Sequence, residues 1–238
     1  FGGQPPGTGK TESWNGTNWT EVNDLNTSRF YMSGGGTQTS ALAFLGDTPP
    51  ITAKTESWNG TNWTEVNDAN TSRKELSGGA TDNTSAIAFA GDNNSNYQAT
   101  TETWNGTNWT ETNDLNTARA KVGGTGTVPS AILFGGTTPP TTAISEEWTG
   151  PGQPIGAWST GGNLNTGRRA AGGAGTQTAA LIYGGGSDPG LRAFTESYNG
   201  SSWTEVNDLN LARSVIGGGN MTQTSALAIS GQPPASRT

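Results

Sequence analysis

The chain has 238 residues, only 30% of them hydrophobic and 13% charged, with 9 Trp, 37 Gly and a formal net charge of −7. With neither Cys nor His it can form no disulfide or zinc site of the usual ligands, and it lacks a thiol nucleophile and an imidazole acid–base. An acidic surface repels phosphate backbones, which argues against nucleic acid as a partner; no apolar run approaches the roughly 18 residues that span a bilayer.

In chain order, the first element is a strand ending, Phe1-Gly2-Gly3, followed by Gln4-Pro5-Pro6. The sequence opens without Met and reads as a processed product or a portion of something longer. The next stretch, Thr11 to Arg29, is TESWNGTNWTEVNDLNTSR. It recurs as TESWNGTNWTEVNDANTSR from Thr55, TETWNGTNWTETNDLNTAR from Thr101 and TESYNGSSWTEVNDLNLAR from Thr195. A diverged copy, SEEWTGPGQPIGAWSTGGNLNTGR, starts at Ser145. The closing arginines, Arg29, Arg73, Arg119, Arg168 and Arg213, are 44, 46, 49 and 45 residues apart. Periods of this size mark repeat architectures.

After each arginine comes a Gly-rich stretch and then an apolar run that ends in glycine: SALAFLG, SAIAFAG, SAILFGG, AALIYGG and SALAISG. Short β-forming runs with turn residues about every ten positions predict four strands per repeat. Counting strands from the arginine, Trp14-Asn15-Gly16-Thr17 is the tip of the strand 3–4 hairpin, with Asn-Gly as a two-residue type I′ turn. That register sets Trp14 opposite Thr17 and Glu12 opposite Trp19, with both tryptophans and the glutamate on one face. The expectation is that Trp14, Trp19, Trp58, Trp63, Trp104, Trp109, Trp148, Trp158, Tyr198 and Trp203 are buried between blades. Each recurring arginine then reaches a glutamate such as Glu12 from the neighbouring strand. The rival use of such aromatics is an exposed platform for sugars.

An apolar strand ending in Gly-Gly, then Glu-x-Tyr/Trp, a second aromatic and a later Arg resembles the kelch repeat. Tyr183-Gly184-Gly185, Glu196, Tyr198, Trp203 and Arg213 match it almost position for position. The spacing of five between the two aromatics is slightly shorter than usual in that family. The repeat phrase is also similar to kelch-like arrays of marine bacteriophages and environmental bacteria. The resemblance covers nearly the whole chain and implies an all-β fold, a five-bladed β-propeller of four-stranded blades. Repeats fall near 11–54, 55–100, 101–144, 145–194 and 195–238, all in one domain. The ring is expected to close by pairing residues 214–231 with the hairpin 10–24, which removes free sheet edges. Gly3-Gln4-Pro5-Pro6 returns as Gly231-Gln232-Pro233-Pro234, so two copies compete for one place and the C-terminal tail is expected to fray. Glycines of the innermost strands (34–36, 172–173 and 217–219) allow crowding at the axis, with no wide tunnel.

Strand direction sorts the loops onto two faces. The strand 1–2 and 3–4 turns barely vary, whereas the strand 2–3 loops diverge: GDTPPITAK, GDNNSNYQATT, GGTTPPTTA and GGGSDPGLRA. Divergence inside a repetitive chain is where an asymmetric site can arise. Asp47, Asp92, Asn96, Tyr97, Asp188 and Arg192 are therefore the candidate ligand-binding residues, with solvated loop residues as the alternative reading. The recurring Asn23-Asp24, Asn67-Asp68, Asn113-Asp114 and Asn207-Asp208 lack the alternating carboxylates of a calcium loop and read as Asx-turns. No metal or cofactor is expected. Kelch-type copper oxidases need His and Cys ligands that this chain lacks, and no carboxylate pair stands apart from the repeat, so no enzyme is expected. The expected function is a binding module of a virion, or of an extracellular or cell surface, recognising a host-surface glycan. The alternative is a structural or decorating domain of a phage tail, capsid or filament that contacts other virion or surface proteins.

Overall fold

A computed structural model describes residues 1–3, 7–150, 156–187, 190–215, 222–229 and 231–232. Among these all regular structure is β-strand. The N-terminal hairpin, β1 (Thr11–Trp14) and β2 (Trp19–Val22), forms a two-stranded sheet. Four four-stranded antiparallel blades follow. Blade I has β3 (Ser33–Thr37), β4 (Ser40–Phe44), β5 (Thr55–Trp58) and β6 (Trp63–Val66). Blade II has β7 (Ser77–Asp82), β8 (Ser85–Phe89), β9 (Thr101–Trp104) and β10 (Trp109–Glu111). Blade III has β11 (Gly123–Thr127), β12 (Ser130–Phe134), β13 (Ser145–Thr149) and β14 (Ala157–Thr160). Blade IV has β15 (Gly172–Thr176), β16 (Ala179–Tyr183), β17 (Thr195–Tyr198) and β18 (Trp203–Val206). The inner strands β3, β7, β11 and β15 pack side by side around an axis, which makes the fold a β-propeller.

Glycine permits this crowding where its neighbours are closest. A Cβ added at Gly79 of β7 would lie 2.2 Å from the carbonyl oxygen of Gly126 in β11, closer than any side chain tolerates. The second strand of each blade is apolar on both faces because blades cover it from both sides: Leu42, Phe44, Ile87, Phe89, Ile132 and Phe134 are fully buried. Each terminal Phe meets a Trp of the next blade edge-on: Phe44–Trp109, Phe89–Trp158 and Phe134–Trp203 have centroids 5.1, 5.0 and 5.3 Å apart.

The hairpin register differs from the expectation. Trp14 lies opposite Trp19 and Glu12 opposite Glu21, leaving a four-residue connection. The cause is the Asn15 side chain, whose Oδ1 accepts the N–H groups of Thr17 and Asn18 at 2.9 and 2.8 Å. Only Gly16 takes positive φ, so the turn is built on an Asx contact rather than on type I′ geometry. The placing of both aromatics and Glu12 on one face survives the shift, because residues two apart on a strand share a face.

The Arg–Glu pairs join blades. Arg29–Glu56, Arg73–Glu102, Arg119–Glu146 and Arg168–Glu196 each link an arginine to the glutamate of the next repeat, and all eight side chains are buried. Each glutamate also caps the preceding link: Glu56 Oε2 accepts Asn26 N and Nδ2 at 2.7 and 2.9 Å, as Glu102, Glu146 and Glu196 do for Asn70, Asn116 and Asn165. The Asn-Asp pairs do not form local Asx-turns. Asp24, Asp114 and Asp208 accept the N–H of the residue that opens their own hairpin, and Asn23 and Asn67 reach the tip of the next one.

Trp14 and Trp19 are 40% and 52% exposed rather than buried, while every other tryptophan of the set, and Tyr198, is buried. No strand from the chain's end covers them: among the described residues 214–232, no strand pairs with β1. Part of that segment, including residues 217–219, lies outside the described residues. Of the two competing copies, Gly3 of the first donates its N–H to Arg29 O at 3.1 Å and Gln232 of the second pairs with Ser214, while Gln4, Pro5, Pro6, Pro233 and Pro234 lie outside the described residues.

Tyr198 yields a spectroscopic expectation. Its phenol is buried and donates a hydrogen bond to the Glu147 carboxylate, and burial followed by that bond pushes its pKa up to about 12. Alkaline titration followed by phenolate absorbance should show a step near that value that disappears in Tyr198→Phe. A titration identical in the variant would contradict the burial.

Candidate functional site

The face that carries the diverging loops is held by backbone bridges. The residue after each arginine pairs with the residue that opens the strand 2–3 loop: Phe30 with Asp47, Lys74 with Asp92, Ala120 with Thr137 and Arg169 with Gly186. The next residue along, Tyr31, Glu75, Lys121, Ala170 or Val215, adopts left-handed backbone with φ between 52° and 55°. Non-glycine residues rarely do so, and the conformation persists only where the surroundings impose it. Here a chain of hydrogen bonds imposes it: Glu75 N donates to Tyr31 O, Lys121 N to Glu75 O, Ala170 N to Lys121 O and Val215 N to Ala170 O, at 2.7–3.0 Å. These five residues therefore encircle one mouth of the axis.

With Lys10 and Arg169 they line a cavity of about 1100 Å³. Its polar side chains carry both signs. Lys121 Nζ lies 3.8 Å from Glu75 Oε1, and burial raises the Glu75 carboxyl pKa while the Lys121 charge opposes that shift. Arg169 Nη1 donates to Thr141 Oγ1 at 2.7 Å. An aromatic ring, a carboxylate and cations around a concave mouth suit a polar ligand with hydroxyl groups and an apolar face. A second cavity, of about 670 Å³, lies along the inner strands and is bordered by Phe1, Glu12, Trp14 and Trp19. Among the described residues no three His, Cys, Asp or Glu side chains come together as a metal site.

The six sequence candidates fall into separate places. Asp47 is buried, and its carboxylate accepts Lys74 Nζ of the following link at 2.8 Å, so it clamps two blades. Asp92, Asn96 and Tyr97 share one loop: Asp92 pairs across it with Tyr97, its carboxylate accepts Asn94 N at 2.7 Å, and Asn96 is exposed. Arg192 sits on the blade IV loop, where Nε donates to Ser187 Oγ at 2.8 Å and the guanidinium stands 5.8 Å from the Phe194 ring centroid. Asp188 lies outside the described residues. Tyr31, Glu75 and Lys121 were missed by the loop-based reading. The signal was available: the second residue after each invariant repeat arginine is Tyr, Glu, Lys, Ala or Val.

No family model matches the chain, and no curated protein is similar enough to match it. Solved structures do match in shape. One, described as "Structure of YjhT", aligns with a TM-score of 0.69 over 83% of this chain and 71% of its own, at 11% sequence identity. At that identity the likeness concerns the β-propeller fold.

Proposed function

We propose that the protein is a non-catalytic binding module of the kelch-like kind, displayed on a virion or cell surface, whose variable face takes a host-surface glycan. One observation carries this reading. At one position of an otherwise repetitive unit the side chain differs in every blade, and all five of these residues, Tyr31, Glu75, Lys121, Ala170 and Val215, gather at a single axial mouth. A scaffold needs no such diversity, and a ligand without five-fold symmetry does. Mixed charge and the Tyr31 ring favour a sugar over a purely apolar ligand, and a weak single site would gain from display in many copies.

The test is a glycan array with the purified protein and the variants Tyr31→Ala, Tyr97→Ala and Asp92→Ala. Loss of about tenfold or more in Tyr31→Ala is expected if the ring is an anchor. Loss in Tyr97→Ala or Asp92→Ala alone would move the site to the blade II loop. Absence of binding at high density would sink the glycan reading. It would leave the second one, a structural or decorating domain of a tail, capsid or filament, which the exposed apolar edge at Trp14 and Trp19 favours.

A further inference from the structure

One ion pair at the axial mouth is held open. Elsewhere among the described residues each lysine closes on a carboxylate: Lys10 on Glu21, Lys54 on Glu65 and Lys74 on Asp47, at 2.5, 2.5 and 2.8 Å. Lys121 Nζ and Glu75 Oε1 stop at 3.8 Å, about an ångström beyond a charge-assisted hydrogen bond. Among the described residues no hydrogen bond reaches either charged group. The Glu75 side chain is only 15% exposed, so its carboxylate has given up most of its water without gaining a donor.

The neighbours of this pair are ordered around the mouth. Lys121 N donates to Glu75 O and Glu75 N donates to Tyr31 O, so the three residues are consecutive steps of one wall. All three line the same cavity, and an aromatic ring, an acceptor and a donor therefore follow one another. The other cations of the lining are engaged: Lys10 by Glu21, and Arg169 by Thr141 Oγ1. Glu12 adds a second carboxylate to the lining. An anion that met Lys121 would stand beside a desolvated carboxylate, and a cation that met Glu75 would stand beside an ammonium. Like charges at that range oppose both. Two adjacent hydroxyls satisfy the pair: one donates its proton to Glu75, and the oxygen of the other accepts from Lys121.

We propose, resting on the glycan reading above, that Glu75 and Lys121 form a clamp for a vicinal diol. It makes the mouth selective for a neutral hexopyranose, with Tyr31 against the apolar face of the sugar ring, over acidic and amino sugars. The clamp carries a pH dependence. Burial raises the Glu75 carboxyl pKa; Lys121 opposes that shift, Asp92 and Asp47 add to it, and Lys74 opposes it. A hydroxyl bonds more strongly to the ionised carboxylate than to the neutral acid. Affinity is therefore full above the carboxyl pKa and falls as the pH drops through it, beginning above the range in which an ordinary carboxyl protonates.

The test displays the whole chain to immobilised glucose, galactose and mannose, their singly deoxygenated forms, glucuronic and galacturonic acid, and glucosamine. A neutral hexose should bind best, and removing either of two adjacent hydroxyls should weaken it about tenfold. Glu75→Gln, which keeps the size of the side chain, and Lys121→Met at its exposed position should each cost a similar factor. Wild-type binding should fall between about pH 8 and pH 4, while the residual binding of Glu75→Gln stays level. Both variants should unfold within about 2 °C of the wild type, as expected of an open surface pair. A fall as large as a buried pair gives would make the contact a structural one and overturn the clamp. Tighter binding of a uronic acid or of glucosamine, or neutral-sugar binding indifferent to Glu75→Gln, would overturn the clamp and leave the glycan reading standing. No sugar bound by the wild type would overturn both.

Discussion

Glu102→Ala is expected to destabilise the protein by about 3–5 kcal/mol, the cost of leaving one partner of a buried ion pair without its counter-charge. Three groups lose the carboxylate at once: the Arg73 guanidinium, which keeps the Ala88, Ala90 and Thr71 carbonyls, and the Asn70 N and Nδ2 donors. Burial already lowers the Arg73 pKa, and the nearby Glu102 charge opposes that shift more than any other group does. For a chain of this size the loss corresponds to roughly 6–20 °C in Tm. Thermal or denaturant unfolding measures it. The double variant Arg73→Met/Glu102→Met should recover only part of the loss. It removes the stranded charge, but the bonds from Asn70 N and Nδ2 to the carboxylate stay lost, with Nδ2 keeping only the Trp109 carbonyl at 3.3 Å, and a hydrogen bond to a charged group is worth about 1.5–3 kcal/mol. Full recovery in the double variant would show that the glutamate serves the arginine alone and not the link between blades.

That latch also marks what could be read from the sequence. Arg and Glu recur at fixed places in each repeat, so their pairing was legible. Their being in successive repeats, and the glutamate's second duty to Asn26, Asn70, Asn116 and Asn165, depend on how blades stack, which periodicity does not encode. Strand number and the burial of Phe44, Phe89 and Phe134 were legible because apolar runs between turn residues carry that signal directly. The hairpin register was not, since Asn15 can either enter a type I′ turn or spend its carbonyl on two N–H groups, and the dipeptide Asn-Gly suits both. Among the candidate site residues, Asp47 shows the limit of arguing from loop divergence: a carboxylate in a variable loop was available to Lys74 and is consumed by it. The axial mouth was hidden for another reason. Tyr31, Glu75 and Lys121 face it only because a left-handed residue after each arginine turns the chain there, and neighbouring blades hold that conformation by backbone hydrogen bonds.

Phe134→Ala should cost a comparable amount, about 3–5 kcal/mol, because its fully buried ring fills the space between blades III and IV. The ring packs edge-on against Trp203, and its atoms lie 2.3 and 2.6 Å from where Cβ atoms would stand at Gly123 and Gly173. Those glycines are small because the phenylalanine is there, which makes a sharper prediction than the single loss. In the native background Gly173→Ala forces the ring off its position and should cost about 1–3 kcal/mol as an overpacking substitution. In the Phe134→Ala background the added methyl enters the vacated space, its next neighbour being Gly124 O at 3.4 Å, so the same substitution should be neutral or stabilising. A double-mutant cycle on unfolding free energies reads the coupling, expected to favour the double variant by more than about 1 kcal/mol. Simple additivity would mean that the glycine answers to the neighbouring backbone rather than to the ring. The crowding at the axis would then be set by strand-to-strand contact of the kind seen at Gly79, with the aromatic layer outside it contributing little to which residues the inner strands can carry.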